Sequence, residues 1–363
     1  MQSRDYYLLL TTFLFTILQS CATLHSQYKR DVKEWEQHQL PDSALIEHTL
    51  YLIGDAGKSP KDRPAPAIRL LGDALRAAGE NSTTIFLGDN IYPDGLPPEE
   101  DKRYTDAKYN LDRQLEILKN YKGDSYFIPG NHDWVADGYK AVDRQEEYIE
   151  EYLDKKKVFL PKNGCSGPEV VKVTDNLTYI FIDSQWWIVN WDEQPGINDG
   201  CDAKNKDTFI GLLDSALKKN RDKTVVLVLH HPLYSNGSHG GHYSWKDHLF
   251  PFTAINEKLY IPLPGIGTVL QQIRSNIGIR QDVNYPPLAE LKQKILNLTN
   301  GMDNVIFASG HDHNLQYIEA GGHPFVVSGA GSKETAAKAS GNVLFSHGSN
   351  GFAKINFYKD GAA

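Results

Sequence analysis

Basic residues are in deficit. Lys and Arg number 38 against 46 Asp and Glu, a formal charge of 38 − 46 = −8. This balance excludes a general nucleic-acid binder, which carries a basic face. It does not exclude an anionic substrate, because bound metal ions can supply positive charge locally. Cysteine is scarce, with 3 in the chain. An odd count leaves one without an intramolecular partner. Cys165 and Cys201 sit in Gly-containing loops, Asn163-Gly164-Cys165 and Asp199-Gly200-Cys201. An oxidising compartment would join them, and a reducing one would leave two thiols. Long apolar runs are missing as well. The run from Tyr6 to Leu18 is too short to span a bilayer comfortably and has the length of a signal-peptide core. There is no internal repeat and no low-complexity tract. What is present, 40% hydrophobic and 23% charged residues in a chain of 363, suits one large globular domain or two ordinary ones.

The N-terminal run ends in Leu18-Gln19-Ser20-Cys21, which resembles a bacterial lipobox, although Gln19 stands where a small or apolar residue is usual. That resemblance implies export to a bacterial cell envelope, with the chain lipid-anchored at Cys21 and facing the periplasm or the outside. An ordinary cleaved signal is the alternative. Residues 1–21 are thus expected to be a signal peptide, 22–45 a polar tether, and 46–363 the domain proper.

Within that domain, short apolar runs alternate with amphipathic stretches. Leu50–Ile53, Thr83–Leu87, Tyr126–Ile128, Tyr179–Ile182, Val225–Leu229, Val305–Ala308 and Phe325–Val327 read as strands. Ile68, Leu71 and Leu75 share one helical face, as do Leu111, Leu115 and Leu118. Asp207 is placed to cap a helix carrying Phe209, Leu213 and Leu217. Such alternation predicts an α/β fold with partly parallel sheets. Residues 240–300 break the rhythm with several prolines and read as an insertion, with helical pieces near 265–277 and 287–299.

Five strand candidates end in metal-ligand residue types. They are Gly54-Asp55, Gly88-Asp89-Asn90-Ile91-Tyr92, Gly130-Asn131-His132-Asp133, His230-His231 and Gly310-His311-Asp312-His313. Any one of these has a bland reading as a turn or an isolated histidine. Five in succession do not, because the carboxyl ends of strands in open α/β sheets converge on one crevice. Carboxylate, amide and imidazole donors without cysteine suit iron, zinc or manganese rather than a structural zinc site. More ligands are present than one ion needs, so two ions sharing a carboxylate is the natural count.

These five motifs, in this order, resemble the calcineurin-like metallophosphoesterases over about residues 50–330. The resemblance implies a four-layer αββα sandwich of two mixed β-sheets with flanking helices and a bimetal site at the strand C-terminal edge. Most members carry a histidine two residues after the first aspartate, where this chain has Gly57. Tyr92, three residues after Asp89, instead matches the Gly-Asp-Asn-x-Tyr signature of the purple, tartrate-resistant acid phosphatases. Carried over by position, that likeness implies Asp55, Tyr92 and His313 on an iron(III) ion. It implies Asn131, His230 and His311 on a divalent iron, zinc or manganese ion, with Asp89 bridging. His132 and His239 are implied to meet the substrate, a small-molecule phosphate monoester, while His231 has no implied role. Three anionic ligands and a bridging hydroxide against five metal charges leave the site near +1 (−4 + 5), attractive to phosphate. A phosphodiesterase or pyrophosphatase on the same scaffold remains an alternative. So does a non-catalytic binding or assembly lipoprotein, which the intact ligand set argues against. No protein partner is identifiable.

Overall fold

The computed structural model describes residues 22–29, 32, 41–254, 258–359, 361 and 363. The run Tyr6–Leu18 and Cys21 lie outside them. In chain order the strands are β1 (Gln27–Tyr28), β2 (Ile46–Ile53), β3 (Ser82–Phe86), β4 (Asp124–Phe127), β5 (Glu169–Lys172), β6 (Leu177–Phe181) and β7 (Thr224–Val228). They continue with β8 (Val305–Ser309), β9 (Leu315–Ala320), β10 (His323–Ser328), β11 (Val343–His347) and β12 (Ala353–Tyr358). The α-helices are α1 (Pro66–Ala77), α2 (Tyr104–Glu116), α3 (Tyr139–Leu153), α4 (Ser184–Ile188), α5 (Lys206–Lys219), α6 (Trp245–Leu249), α7 (Ile266–Ile277) and α8 (Pro286–Thr299).

Two mixed sheets form the centre. One has the order β1-β11-β9-β10-β8-β7-β6-β5 and the other β12-β2-β3-β4. Strands β2, β3 and β4 are mutually parallel, as are β6, β7, β8 and β10. A parallel strand in a covered sheet is apolar on both faces. Accordingly β3, β6 and β8 are buried along their whole length. Their alternate residues feed two cores. Leu50, Leu52, Ile85, Leu87, Tyr179, Phe181, Val226 and Val228 form one cluster between the sheets. The opposite faces bury Ile53, Phe86, Phe127, Ile180, Leu227 and Phe307 under the helices. The expected αββα layering is present.

Three local expectations change. Asn205, not Asp207, caps α5, its side chain accepting the Thr208 N–H at 2.8 Å. The stretch read as a tether begins docked on the domain. β1 pairs antiparallel with β11, and Thr23 bridges Ala337. An edge strand offers unpaired backbone groups, and the polar segment after residue 22 satisfies them. The insertion is also shorter than expected. Parallel β7 and β8 require a crossover helix, and α8 is that helix, burying Leu288, Leu291 and Ile295 against α4 and α5. The added material therefore lies between about residues 237 and 285. Cys165 and Cys201 form a disulfide with a Cα separation of 5.6 Å.

Candidate metal centre

The C-terminal ends of β2, β3, β4, β7 and β8 meet at one edge where the two sheets abut. Each ends in a tight turn that throws the next side chain into a common cleft. Asp55, Asp89 and His311 all adopt left-handed backbone, with φ of 56°, 53° and 69°. That conformation costs a non-glycine residue of order 1–3 kcal/mol and persists where the surroundings dictate it. Glycine is required beside them. A Cβ on Gly130 would lie 2.3 Å from both the Asp89 amide nitrogen and Asp89 Oδ1.

The buried side chains form two groups that share Asp89. In the first, Tyr92 Oη lies 2.8 Å from Asp55 Oδ1, 2.9 Å from Asp89 Oδ2 and 3.1 Å from His313 Nε2. A phenol has one proton, and here three groups compete for it. In the second, His230 Nδ1 donates to the Leu87 carbonyl at 2.8 Å, which leaves a lone pair on Nε2. His311 Nε2 donates to the Gln281 carbonyl at 2.7 Å, which leaves a lone pair on Nδ1. Those two lone-pair nitrogens face each other at 3.2 Å, and His230 Nε2 is 3.0 Å from Asn131 Oδ1. Asp89 Oδ1 lies 3.5 Å from the same His230 nitrogen. These tautomers follow from the carbonyl partners, since a carbonyl can only accept. Acceptors aimed at acceptors are repulsive unless a cation sits among them, and this donor set fits two.

Electrostatics agree. Burial, followed by the Asp89 carboxylate, pushes Asp55 up to about 7. Burial also pushes Asp89 up, but His230 and His132 outweigh it and hold that carboxyl below the usual range. Tyr92 is driven well above its ordinary value by burial and then by the two carboxylates. Burial, with the neighbouring Lys333, lowers His313 to about 3. Burial and then the surrounding histidines lower His311. Burial thus favours the neutral imidazole at His311 and His313, the form that binds metal.

Two histidines rim the pair without joining either group. His132 donates its backbone N–H to Asp89 Oδ1 at 2.8 Å, and its ring Nδ1 meets the Pro93 carbonyl at 2.6 Å. Its Nε2 stays 4.0 Å from Asp89. His239 stacks over His311 with ring centroids 4.1 Å apart, and its Nδ1 is 2.9 Å from Asp282 Oδ1. Burial lowers His239, but the hydrogen bond to Asp282 and the Asp312 charge overcome it and raise the pKa. His231 is buried between Ser184 Oγ at 2.8 Å and Gln281 Oε1 at 2.5 Å, a position that holds the cleft wall.

Several supporting residues, Asp133 of the third motif among them, received no role from the sequence. Asp133 accepts the backbone N–H groups of Asn90, Ile91 and Gly130 and so ties the loops after β3 and β4 together. Lys333 Nζ lies 3.3 Å from the Tyr92 ring centroid, placing a cation beside the site. Arg274 clamps Asp282 at 2.7 and 2.9 Å. Gly57 explains the missing histidine. A Cβ there would meet Ile91 N at 2.5 Å, because this loop lies directly on residues 89–91.

The sequence profile of the calcineurin-like phosphoesterases matches residues 48–261, more than half of the chain. Purple acid phosphatase 3 of Arabidopsis thaliana is 25% identical over 263 residues, which cover 66% of this chain and 67% of that protein. Purple acid phosphatase 17 of the same plant is 23% identical over 256 residues, 69% of this chain and 58% of its own length. The chain thus spans between about half and two thirds of these relatives. Among solved structures, GAP50, the anchor in the inner membrane complex of Plasmodium, is similar in fold. Its TM-score is 0.55 at 17% identity, over 87% of this chain and 82% of that one. The purple acid phosphatase PPD1 from yellow lupin gives 0.50 at 13% identity, over 85% and 49%. The chain belongs to the calcineurin-like phosphoesterases, a family of metal-dependent hydrolases.

Proposed function

We propose that this site holds an iron(III)–divalent metal pair and hydrolyses phosphate monoesters. Asp55, Tyr92 and His313 are assigned to the iron, Asn131, His230 and His311 to the divalent ion, and Asp89 to both. The observation that carries the assignment is the pair of lone-pair clusters, each facing a different oxygen of Asp89. Phenolate is a hard anionic donor, so the Tyr92 group suits the trivalent ion. When bound, such a pair lowers the pKa of water and supplies a hydroxide nucleophile at mildly acidic pH. The chain's own residues do the rest. His132, half-exposed above Asp89, holds a phosphate oxygen through Nε2. His239 protonates the departing alkoxide, and Asp282 fixes its ring through Nδ1. The relatives' name, acid phosphatase, supports the same reading.

The test is metal analysis of the purified protein with turnover of p-nitrophenyl phosphate and of bis(p-nitrophenyl) phosphate. Two metals per chain with preference for the monoester is expected. Preference for the diester moves the assignment to phosphodiesterase. Two bound metals with no turnover of either ester contradicts a phosphatase function.

A further inference from the structure

α7 is built inside out. Its inward side carries Gly267, Gln271, Arg274 and Ser275. Gln271 reaches the Asp247 carbonyl at 3.3 Å, Ser275 the Gly241 carbonyl at 3.1 Å, and Arg274 pairs with Asp282. Its outward side carries Ile266, Val269, Leu270, Ile273 and Ile277, with Val269 54% and Ile277 65% exposed. The spacing of these five, i, i+3, i+4, i+7 and i+11, makes one apolar stripe along the whole helix. The segment leading into α7 also exposes Tyr260, by 60%, a side chain with an amphipathic ring. A contiguous apolar face of this kind marks an interaction surface rather than ordinary scatter.

Charge and chain path say what covers it. Residues 258–281 contain no Asp or Glu, and although Arg274 is turned inward to Asp282, Lys258 and the exposed Arg280 stand before and after α7, within a chain of net charge −8. An apolar stripe flanked by basic and aromatic residues is the composition of a helix lying in an anionic membrane surface. The N-terminal segment arrives at the same place. Ala22, buried, donates its N–H to the Tyr243 carbonyl at 3.2 Å. Tyr243 lies beneath Arg274, whose guanidinium is 5.7 Å from its ring centroid. Ala22 follows Cys21 directly in the sequence. The N-terminal segment therefore enters the domain beside α7.

We propose that the apolar face of α7, with Tyr260, lies in the headgroup layer of the anionic phospholipid membrane to which Cys21 attaches the chain. The inference rests on the lipid-anchor reading of Cys21 and is independent of the phosphatase reading. Docking there sets the metal centre at the membrane surface, since the inward side of α7 holds the Asp282 that partners His239.

The test uses the full chain in vesicles of phosphatidylethanolamine and phosphatidylglycerol carrying a radiolabelled phospholipid. Ile273→Cys bears a benzophenone maleimide, and Val170→Cys, on the edge strand β5 at the far end of the sheet from β1, is the control. Illumination is expected to label lipid from position 273 and not from 170. Equal lipid labelling from both positions, an adduct to residues 6–18 or to a second copy, or no adduct at all would each overturn the proposal. Fatty-acid labelling at Cys21 is scored separately, so a failed anchor and a failed docking face are told apart.

Discussion

Tyr92→Phe removes one oxygen and leaves the ring. The ring packs against His132 at 4.5 Å between centroids and beneath Lys333, so the cavity does not change. What is lost is a hydroxyl within 3.1 Å of Asp55, Asp89 and His313. A single proton can satisfy one of these at a time, so the metal-free fold loses one charge-assisted hydrogen bond, about 2 kcal/mol. In a domain of this size that is roughly 4 °C in Tm. The penalty depends on pH. Folded Asp55 titrates near 7 against an ordinary 3.8, so the folded state holds a proton that the unfolded chain has released. A raised carboxyl pKa means that the metal-free fold loses stability as pH rises from about 4 to 7. Tyr92 stabilises Asp55 most when that carboxyl is ionised, which happens only above about pH 7. The metal-free variant should therefore lose less relative to wild type near pH 5 than near pH 8. In the iron-loaded protein the same substitution removes the phenolate, and the visible charge-transfer band should vanish while circular dichroism stays native. Melting curves at the two pH values and an absorption spectrum measure these effects. An iron-loaded Tyr92→Phe that keeps its colour, or an equal penalty at both pH values, would refute the reasoning.

Asp89→Asn should lose both metals by elemental analysis, whereas Asp55→Asn should keep the divalent ion, and two bound metals in Asp89→Asn would disprove the bridge. His239→Ala should slow alkyl phosphates by about 100-fold or more, yet p-nitrophenyl phosphate much less, because its leaving group needs little protonation. Equal losses would make His239 a phosphate binder only. Reducing Cys165–Cys201 opens a loop with a sequence separation of 36. It should lower stability by about 4 kcal/mol, read from denaturant midpoints with and without reductant, and an unchanged midpoint would contradict it. The proposed anchor predicts that Cys21→Ser abolishes fatty-acid labelling and releases the protein from the membrane, and a wild type that is already soluble and unlabelled would refute it.

How much of this was legible depends on how local the information is. The strand ends were readable because each ligand follows its strand within a few residues, so Gly54-Asp55, Gly88-Asp89 and Gly310-His311 carry placement and chemistry together. Tyr92 was readable only through likeness, since nothing in its own surroundings announces that residues 89–91 press on Gly57 and exclude a side chain there. The crossover role of α8 was missed because an amphipathic helix beside an irregular stretch looks like part of it, and only the parallel pairing of β7 and β8 separates them. The cap at Asn205 instead of Asp207 turned on a two-residue difference between two equally good caps. Asp282 is the instructive case. Sequence puts it 43 residues from His239 and gives it no motif. Its role exists only because Arg274 on the inward side of α7 holds it under the histidine. A helix whose polar side must face inward to hold that carboxylate has its apolar side left outward. The proposed membrane docking would account for both sides of this helix at once, the polar one by the carboxylate it holds and the apolar one by the lipid it meets.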